Sequence, residues 1–264
     1  MAALTVGMDE AGYGPKLGPL VVAAAWARGP LPDSVRIADS KKIFSPARGA
    51  GALEPAVLGF LPARSFEELL ERLGARRPAA PWYRLPLPLG PRPALAGLEG
   101  AAAVILEAAE YNAALDGRSK ADVLFDAAEE LFLRALATGA RPIRFLVGKH
   151  GGRRYYLSRL RRAVAPEAVA REETPGRSVY EAPGVTIEFL KDAEDCHELV
   201  ALASMIAKYV RECAMKLFND WWSAQCPGLR RTAGYGTDGT RFFRQIEPLL
   251  PGLGLPADGV LRRR

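Results

Sequence analysis

The chain is predicted to fold as an α/β protein, because apolar segments of two kinds alternate along its 264 residues. Segments such as LTVGMDE and VTIEFL have the β-branched and apolar character of buried strands. Stretches rich in Ala, Leu and Glu, which are typical of helices, lie between them. No repeat or linker divides the sequence, so we expect one domain over residues 1–264, with a Pro-rich insertion at 78–96 and a C-terminal cap and tail at 226–264.

Composition limits the classes of protein that the chain can represent. An apolar content of 49% and a charged content of 25% are ordinary for a soluble globular protein and exclude a largely disordered chain. The net charge of +6 favours an anionic partner such as nucleic acid. The apolar stretch 17–27 is too short to span a bilayer and no basic segment precedes it, so we expect a cytoplasmic protein without a membrane partner.

Metal and disulfide chemistry is restricted by the few cysteines and histidines. The three cysteines include no CxxC pair, which predicts reduced thiols in or near the core. With only two histidines and no Cys/His cluster, a structural zinc site is not expected. A bound metal would therefore be held by carboxylates.

The N-terminal third begins with a predicted hairpin. LTVGMDE is a strand that stops at a glycine turn, and LGPLVVAAAWA is the second strand. Ser65 is a candidate N-cap for a short helix that reaches Leu73. The Pro-rich stretch 78–93 is predicted to be a loop that is ordered by Trp82 and Tyr83.

Helices and strands are predicted to alternate in the remainder of the chain. Two helices are expected over 97–136 with a break near Asp116 and Gly117, followed by the strand PIRFLV and a helix over 153–164. A long helix is expected over 195–222, because its apolar residues recur at three-to-four spacing.

The C-terminal part is predicted to form a cap. The glycine-rich loop RTAGYGTDG leads into a short helix that contains Phe242, Phe243 and Ile246. The last residues, 262–264, are expected to be a frayed basic tail.

Asp9 and Glu10 lie where an apolar strand meets a glycine turn, which holds both carboxylates at the edge of the core and suits metal binding. Successive strand residues point to opposite faces, so both serve one site only if the chain bends, and Gly12 permits that bend. The alternative is that these acids merely cap the hairpin turn.

The string MDEAGYGPKLGPLVVAA resembles the opening motif of type 2 ribonucleases H, which is Asp-Glu-Ala-Gly-Arg-Gly followed by Gly-Pro and an apolar strand. Three further segments resemble motifs of that family in the same order: ADSKK at 38–42, ALASMIAKYVRE at 201–212 and AGYGT at 233–237. The resemblance spans most of the chain. It implies a ribonuclease H-like fold, in which a mixed sheet flanked by helices brings acidic residues together around divalent metal.

The resemblance also implies a metal site. Asp9 and Glu10 match the family's first two ligands of Mg²⁺ or Mn²⁺, cations that prefer hard oxygen donors. The family's next Asp follows a strand, and here the equivalent strand FLV leads into Gly148, so a position expected to be acidic carries no side chain.

The remaining family Asp precedes the motif helix, where this chain has several acids: Asp192, Glu194, Asp195 and Glu198. We select Asp195 as the catalytic and metal-binding residue, with Glu194 and Glu198 behind it on the same helical face. The alternative is that these acids only complement the helix dipole.

Substrate contacts are implied by the glycine turn and by AGYGT. Gly12, Tyr13 and Gly14 match a Gly-Arg-Gly clamp around a ribonucleotide 2′-hydroxyl, with Tyr13 replacing the arginine. These glycines also suit a simple hairpin turn. Tyr235 matches a tyrosine that packs on a sugar, and the alternative is a buried aromatic in a glycine turn.

Basic and hydroxyl side chains complete the predicted substrate site. Lys41, Lys42, Ser204 and Lys208 are candidate phosphate contacts, although Lys208 also suits a pair with a nearby acid. A further basic group, at 149 and 153–154, is either a set of phosphate contacts or a solvated surface.

Three functions are compatible with the sequence. The first is a metal-dependent endonuclease that hydrolyses RNA in RNA:DNA hybrids or cuts at ribonucleotides embedded in DNA. The second is a nucleic-acid-binding homologue of the same fold that is catalytically impaired by Gly148. The third is a protein-interaction domain that presents WYRLPLPL as an exposed surface.

Overall fold

The computed structural model describes residues 2–38, 40–44 and 49–263, without the side chain of Lys41. Its strands are Leu4–Ala11 (β1), Leu20–Ala27 (β2), Gly100–Leu106 (β3), Ile143–Gly148 (β4), Val169–Glu173 (β5), Arg177–Ala182 (β6) and Val185–Leu190 (β7). They form one sheet in the order β3-β2-β1-β4-β7-β6-β5. β4 lies parallel to β1 and β7, and the other neighbours are antiparallel, so the predicted mixed sheet is confirmed.

Helices cover the sheet. The helices of the described residues are Ser40–Ile43 (α1), Glu54–Phe60 (α2), Phe66–Arg72 (α3), Ala108–Leu115 (α4), Lys120–Leu136 (α5), Leu157–Ala163 (α6), Glu198–Gln225 (α7) and Gly236–Ile246 (α8). None of these helices combines the length and the apolar content that crossing a membrane requires. The long helix α7 packs on β1 and β2, and α5 belongs to the apolar cluster on the opposite face of the sheet.

The two sheet faces explain the apolar run in β2. In β2, Val21 and Ala23 join the cluster that contains α7, whereas Leu20 and Val22 join the cluster that contains α5. Both faces are covered, so the strand is apolar throughout instead of alternating. A Cβ added at Gly7 would lie 2.2 Å from the Leu199 carbonyl carbon, so only glycine allows α7 to approach β1 this closely.

Several local predictions are confirmed. β1 and β2 form the expected antiparallel hairpin. The Ser65 side chain accepts a hydrogen bond of 3.1 Å from the Glu68 backbone N–H and caps α3. The chain breaks at Asp116 as predicted, and Ser119 then opens α5 with a capping box.

Other predictions are wrong. Residues 100–106 are the strand β3 and not a helix, because pairing with β2 overrides the helix propensity of their alanines. The helix expected over 153–164 is shorter, since it begins only at Leu157. No strand is predicted at β5 or β6. β5 lies at the sheet edge and is largely exposed and charged, so it lacks the apolar pattern of a strand.

The Pro-rich stretch is anchored by two aromatic residues, as predicted. Trp82 and Tyr83 are 1% and 2% exposed. The Trp82 indole N–H and the Tyr83 hydroxyl donate to the buried Glu107 carboxylate at 3.3 and 2.7 Å. The two aromatic residues of WYRLPLPL are therefore buried and unavailable to a protein partner, whereas Arg84, Pro86 and Pro88 are exposed.

The C-terminal segment is ordered. Phe242 and Ile246 of α8 are fully buried, as the predicted cap requires. The Arg262 backbone N–H donates to the Lys16 carbonyl at 2.8 Å, and its side chain is 3% exposed. The expected frayed tail is therefore wrong for residues 262 and 263, and residue 264 lies outside the described residues.

The three cysteines are free thiols in different surroundings. Cys213 is buried in α7, Cys226 is half-buried and Cys196 is exposed. The near-core prediction is wrong for Cys196, because it lies in the turn before α7.

Candidate functional site

A cavity of about 570 Å³ opens where the parallel strands end. The carboxyl ends of β1, β4 and β7 meet at one edge of the sheet, which is the usual position of a ligand site in such sheets. Most of the site residues predicted from the sequence line this cavity: Asp9, Glu10, Gly12, Tyr13, Gly14, Gly148, Ser204, Lys208 and Tyr235.

Asp9 and Glu10 lie near the end of β1, are half-buried and line the same cavity. Gly148 ends the neighbouring strand β4. A Cβ added at Gly148 would lie 3.0 Å from Asp9 Oδ1 and 3.8 Å from Glu10 Oε2. An acidic side chain at this position would therefore join the Asp9 and Glu10 carboxylates directly.

The acids that precede α7 are separated by the local backbone. Residues 193–195 form a single 3-10 turn, and α7 begins at Glu198. Glu194, Asp195 and Glu198 therefore do not share one helical face, and that prediction is wrong. The Glu198 carboxylate instead accepts a hydrogen bond of 3.1 Å from the Leu31 N–H.

The structure brings Asp192 and Glu194 to the cavity wall, whereas Asp195 is not among the lining residues. Asp192 has a positive φ of 52°, which turns the chain between β7 and the 3-10 turn. The Asp195 carboxylate forms an ion pair with Lys42 on α1. The metal-binding role of Asp195 stays a prediction, and Glu194 and Asp192 lie closer to the space that a ligand would fill.

The donor chemistry of the cavity fits a hard divalent cation, although the described carboxylates are not grouped closely around one point. Asp9 and Glu10 provide carboxylate oxygens, which Mg²⁺ and Mn²⁺ prefer. Among residues 2–38, 40–44 and 49–263, no three His, Cys, Asp or Glu side chains are grouped so as to hold a metal ion. Gly148 stands where a third carboxylate would complete the group.

Gly12 is required by the close packing of the turn. It has a φ of +88°, and an added Cβ would lie 2.4 Å from the Pro19 carbonyl oxygen and 2.7 Å from Arg211 Nε. Gly14 has no such constraint, since nothing lies within 4 Å of its added Cβ. The Gly-Tyr-Gly turn therefore needs its first glycine for packing, whereas the second leaves open space beside the cavity.

Arg262 supports the same turn from behind. Its guanidinium donates to the Gly12 carbonyl at 2.5 Å and to the Tyr13 carbonyl at 3.4 Å, and it stacks over the Tyr111 ring at 3.9 Å. Sequence reasoning missed this residue, because nothing near the C-terminus signals a partner close to residue 12.

Tyr13 stands where the resembled Gly-Arg-Gly motif has an arginine, so a half-buried phenol takes the place of a charged side chain. Burial is the main cause that raises its pKa, and the nearby Tyr111 and Glu10 raise it further. Its hydroxyl would lie 3.2 Å from a Cβ added at Gly151, in the loop after β4. At neutral pH the Tyr13 hydroxyl is therefore protonated and uncharged, and it lies between the turn and that loop.

Tyr235 lines the cavity, and the buried Arg211 lies behind its ring. Arg211 is fully buried, donates to the Ala233 carbonyl at 3.0 Å and lies 5.2 Å from the Tyr235 ring centre. Its Nε and Nη1 have no hydrogen-bond partner among the described residues. Tyr235 is 47% exposed, so the buried-aromatic alternative is wrong and its ring is available to a ligand.

Ser204 and Lys208 line the cavity from α7. The Ser204 hydroxyl donates to the Ser40 hydroxyl at 3.1 Å. The Lys208 ammonium donates to Glu212 at 2.7 Å and lies 4.1 Å from the Phe44 ring centre. Lys208 thus pairs with a nearby acid, as the alternative held, while it still faces the cavity.

Of the two lysines in the ADSKK segment, only Lys42 has its side chain among the described residues. The Lys41 side chain lies outside the described residues. Lys42 is exposed and pairs with Asp195, so it lies beside the cavity and not in its wall.

Known structures share this arrangement of strands and helices, although no family model and no curated protein matches the sequence. A ribonuclease HII from Archaeoglobus fulgidus, solved in complex with PCNA, is 20% identical, with a TM-score of 0.52 over 99% of this chain and 94% of that chain. Bst-RNase HIII in complex with Mn²⁺ is 19% identical, with a TM-score of 0.50 over 99% of this chain and 66% of that chain. Identities of this size establish the fold alone. The chain therefore has the fold that ribonucleases HII and HIII share.

Proposed function

We propose that the chain is an endonuclease that hydrolyses RNA in RNA:DNA hybrids or at ribonucleotides embedded in DNA, with Mg²⁺ or Mn²⁺ as cofactor. The observation that carries the proposal is the placement of Asp9 and Glu10 together in a cavity at the carboxyl edge of a ribonuclease H sheet. The net charge of +6 supports a polyanionic substrate. The Mn²⁺ complex of Bst-RNase HIII supports the choice of cation.

The side chains have separate tasks in this proposal. A bound divalent cation would activate water and stabilise the leaving oxygen. Asp9 and Glu10 would hold it, with the third carboxylate from Glu194, Asp192 or Asp195. Of these three, Glu194 and Asp192 line the cavity.

Neutral groups would position the sugar. Tyr235 presents a half-exposed ring, which suits packing against a ribose. The open space beside Gly14 lets a sugar-phosphate approach the backbone of the turn, where the 2′-hydroxyl distinguishes RNA from DNA.

A second candidate is a hybrid-binding protein of the same fold that has lost hydrolysis. The specific observation in its favour is that Gly148 leaves Asp9 and Glu10 without the neighbour that would complete the carboxylate group. Binding depends on the cavity surface and on charge, whereas hydrolysis depends on the metal. The two functions therefore separate experimentally.

Cleavage of a labelled RNA:DNA hybrid and of a duplex with a single ribonucleotide, in Mg²⁺ or Mn²⁺, tests the proposal. The wild type, Asp9→Asn, Gly148→Asp and the uncharged control Gly148→Asn are compared. Cutting by the wild type that Asp9→Asn abolishes supports the endonuclease. Cutting only by Gly148→Asp, or salt-sensitive binding without cutting by any variant, supports the second candidate, and absence of both cutting and binding contradicts both.

Metal binding is tested without activity. Three carboxylates at this spacing repel one another unless a cation neutralises them. Mn²⁺ is therefore expected to raise the melting temperature of Gly148→Asp more than that of Gly148→Asn. Comparing Glu194→Gln with Asp195→Asn in the same assay identifies which acid contributes, and equal shifts for Gly148→Asp and Gly148→Asn would contradict the metal assignment.

A further inference from the structure

A second cavity adjoins the candidate site. It measures about 650 Å³ and is lined by Tyr13, Ala121, His150, Gly152, Arg153, Arg154 and Tyr155. Tyr13 lines both cavities, and the loop after β4 contributes Gly151 to the first and Gly152 to the second. One surface therefore runs from the candidate site across this loop.

Hydrogen bonds fix the backbone of that surface. The Tyr156 hydroxyl accepts from the His150 N–H at 3.1 Å and donates to the Arg153 carbonyl at 3.2 Å. The Tyr156 ring stacks on Phe189 with centroids 3.6 Å apart and planes within 2°. The backbone of this segment is thus held in place before any ligand arrives, which lowers the entropic cost of binding.

The Arg154 backbone is fixed in the same way. Its carbonyl accepts hydrogen bonds from the Ser178 hydroxyl at 2.7 Å and from the Tyr180 hydroxyl at 3.3 Å. Both donors lie on β6, which is part of the sheet. The loop is therefore tied to the sheet through its backbone.

Tyr155 and Arg154 point outward from this fixed segment. Tyr155 is 67% exposed, more than any other large apolar side chain of the described residues. Arg153 and Arg159 both pair with Asp122, whereas the Arg154 guanidinium has no hydrogen bond or ion pair within the part of the chain that the structure describes. The surface thus presents an aromatic ring beside a cation whose charge is not neutralised.

We propose that one strand of the nucleic acid bound at the candidate site continues across this surface, with a base against Tyr155 and a phosphate against Arg154. The inference rests on the proposed nucleic-acid binding at that site. A nucleotide combines a flat aromatic base with a phosphate, and an exposed ring beside a cation matches both groups. An acidic peptide would use Arg154 but would gain nothing from the aromatic ring of Tyr155.

The test is fluorescence anisotropy of a labelled RNA:DNA hybrid with a single-stranded overhang, titrated with the full chain in EDTA so that cleavage does not interfere. Tyr155→Ala is expected to weaken binding about fivefold or more, as loss of base stacking does, and Tyr155→Phe, which keeps the ring, is expected to restore the affinity. Arg154→Gln is expected to lower the salt dependence by about one phosphate contact. Arg162→Gln removes an exposed arginine of α6 that lines neither cavity, so it serves as the charge-matched control.

Each outcome decides between the inference and the function on which it rests. Loss of affinity in Tyr155→Ala and Arg154→Gln, but not in Arg162→Gln, supports the inference. Equal binding by the wild type, Tyr155→Ala and Arg154→Gln overturns the inference alone. Equal losses in Arg154→Gln and Arg162→Gln, with no loss in Tyr155→Ala, also overturn it, because they indicate general charge attraction or an acidic ligand. Absence of salt-sensitive hybrid binding by the wild type, together with absence of cutting in Mg²⁺ or Mn²⁺, overturns the proposed function and this inference with it. Absence of binding by a wild type that cuts in Mg²⁺ or Mn²⁺ overturns the inference alone.

Discussion

The guanidinium of Arg262 donates a hydrogen bond of 2.5 Å to the carbonyl oxygen of Gly12, 250 residues earlier in the chain. Burial lowers the pKa of Arg262, but a guanidinium stays charged at neutral pH. The contact with the Tyr111 ring and the hydrogen bonds to the Gly12 and Tyr13 carbonyls offset part of the free-energy cost of burying this charge. The C-terminal segment thereby fixes the turn that follows Asp9 and Glu10.

Arg262→Met is expected to lower the free energy of unfolding by about 1.5–3 kcal/mol, because the methionine fills the space but gives no hydrogen bond to the turn. Arg263→Met is the matched control. Arg263 pairs with Asp258 at the surface, with both side chains 54% exposed, so solvent screens the pair and its loss should leave the free energy of unfolding nearly unchanged. Urea unfolding of both variants measures the difference, and equal losses would contradict the role of Arg262.

Gly12→Ala is expected to destabilise the fold by about 1–3 kcal/mol or more, because alanine is strained at a φ of +88° and its Cβ would meet the Pro19 carbonyl at 2.4 Å. Gly14→Ala provides the control, since its Cβ enters open space. Thermal unfolding should separate the two variants clearly. A similar melting temperature for both would show that the turn rearranges around Gly12.

The burial of His150 predicts how the free energy of unfolding depends on pH. Burial lowers its pKa from 6.5 to about 3, so between these values the unfolded chain binds a proton that the folded chain does not. The free energy of unfolding should therefore fall as pH decreases from 6.5 to 3, by up to about 1.4 kcal/mol per pH unit. His150→Phe keeps an aromatic ring beside Phe125 and Tyr156 and should flatten this slope in urea unfolding at several pH values.

His197→Asn is the comparison for that measurement. His197 is half-buried and caps α7 by accepting from the Leu199 N–H at 3.2 Å, a task that asparagine also performs. Burial lowers its pKa as well, but it is only partly desolvated, so its removal should change the slope less. A larger change for His197→Asn than for His150→Phe would contradict the assignment.

Tyr83→Phe tests the anchor of the Pro-rich stretch. The Tyr83 hydroxyl donates to the Glu107 carboxylate at 2.7 Å, and both groups are buried. Burial raises the pKa of Glu107 and the Tyr83 hydrogen bond opposes that rise, so removing the hydroxyl leaves a buried acid with fewer donors. We expect a loss of about 1–3 kcal/mol in urea unfolding, against little change for the exposed Tyr155→Phe. Equal stability of both variants would show that Glu107 does not depend on this contact.

Local signals predicted the elements whose stability is local. The Ser65 cap and the break at Asp116 were correct, because capping and helix termination involve neighbouring residues. The alanines of the segment 100–106 predict a helix, since alanine favours helices in isolation. Its strand conformation follows from pairing with β2, which lies more than 70 residues earlier in the chain.

The candidate site was predictable to a similar extent. Asp9, Glu10 and Gly148 were identified from motifs at strand ends, and the structure brings them together. The choice among the later acids depended on where α7 begins. Because α7 begins at Glu198 and not at residue 195, Glu194 and Asp195 lie in the preceding 3-10 turn and do not follow a face of the helix.

The sequence by itself determined the α/β class, the β1–β2 hairpin and an acidic pair at the edge of the core, because hydrophobic period, glycine turns and strand ends are properties of short segments. The tertiary structure alone decided that Arg262 holds the Gly12 turn and that Tyr155 stands exposed beside the site. The physical reason is that such contacts depend on strand order and helix packing, which bring together residues that no local pattern relates.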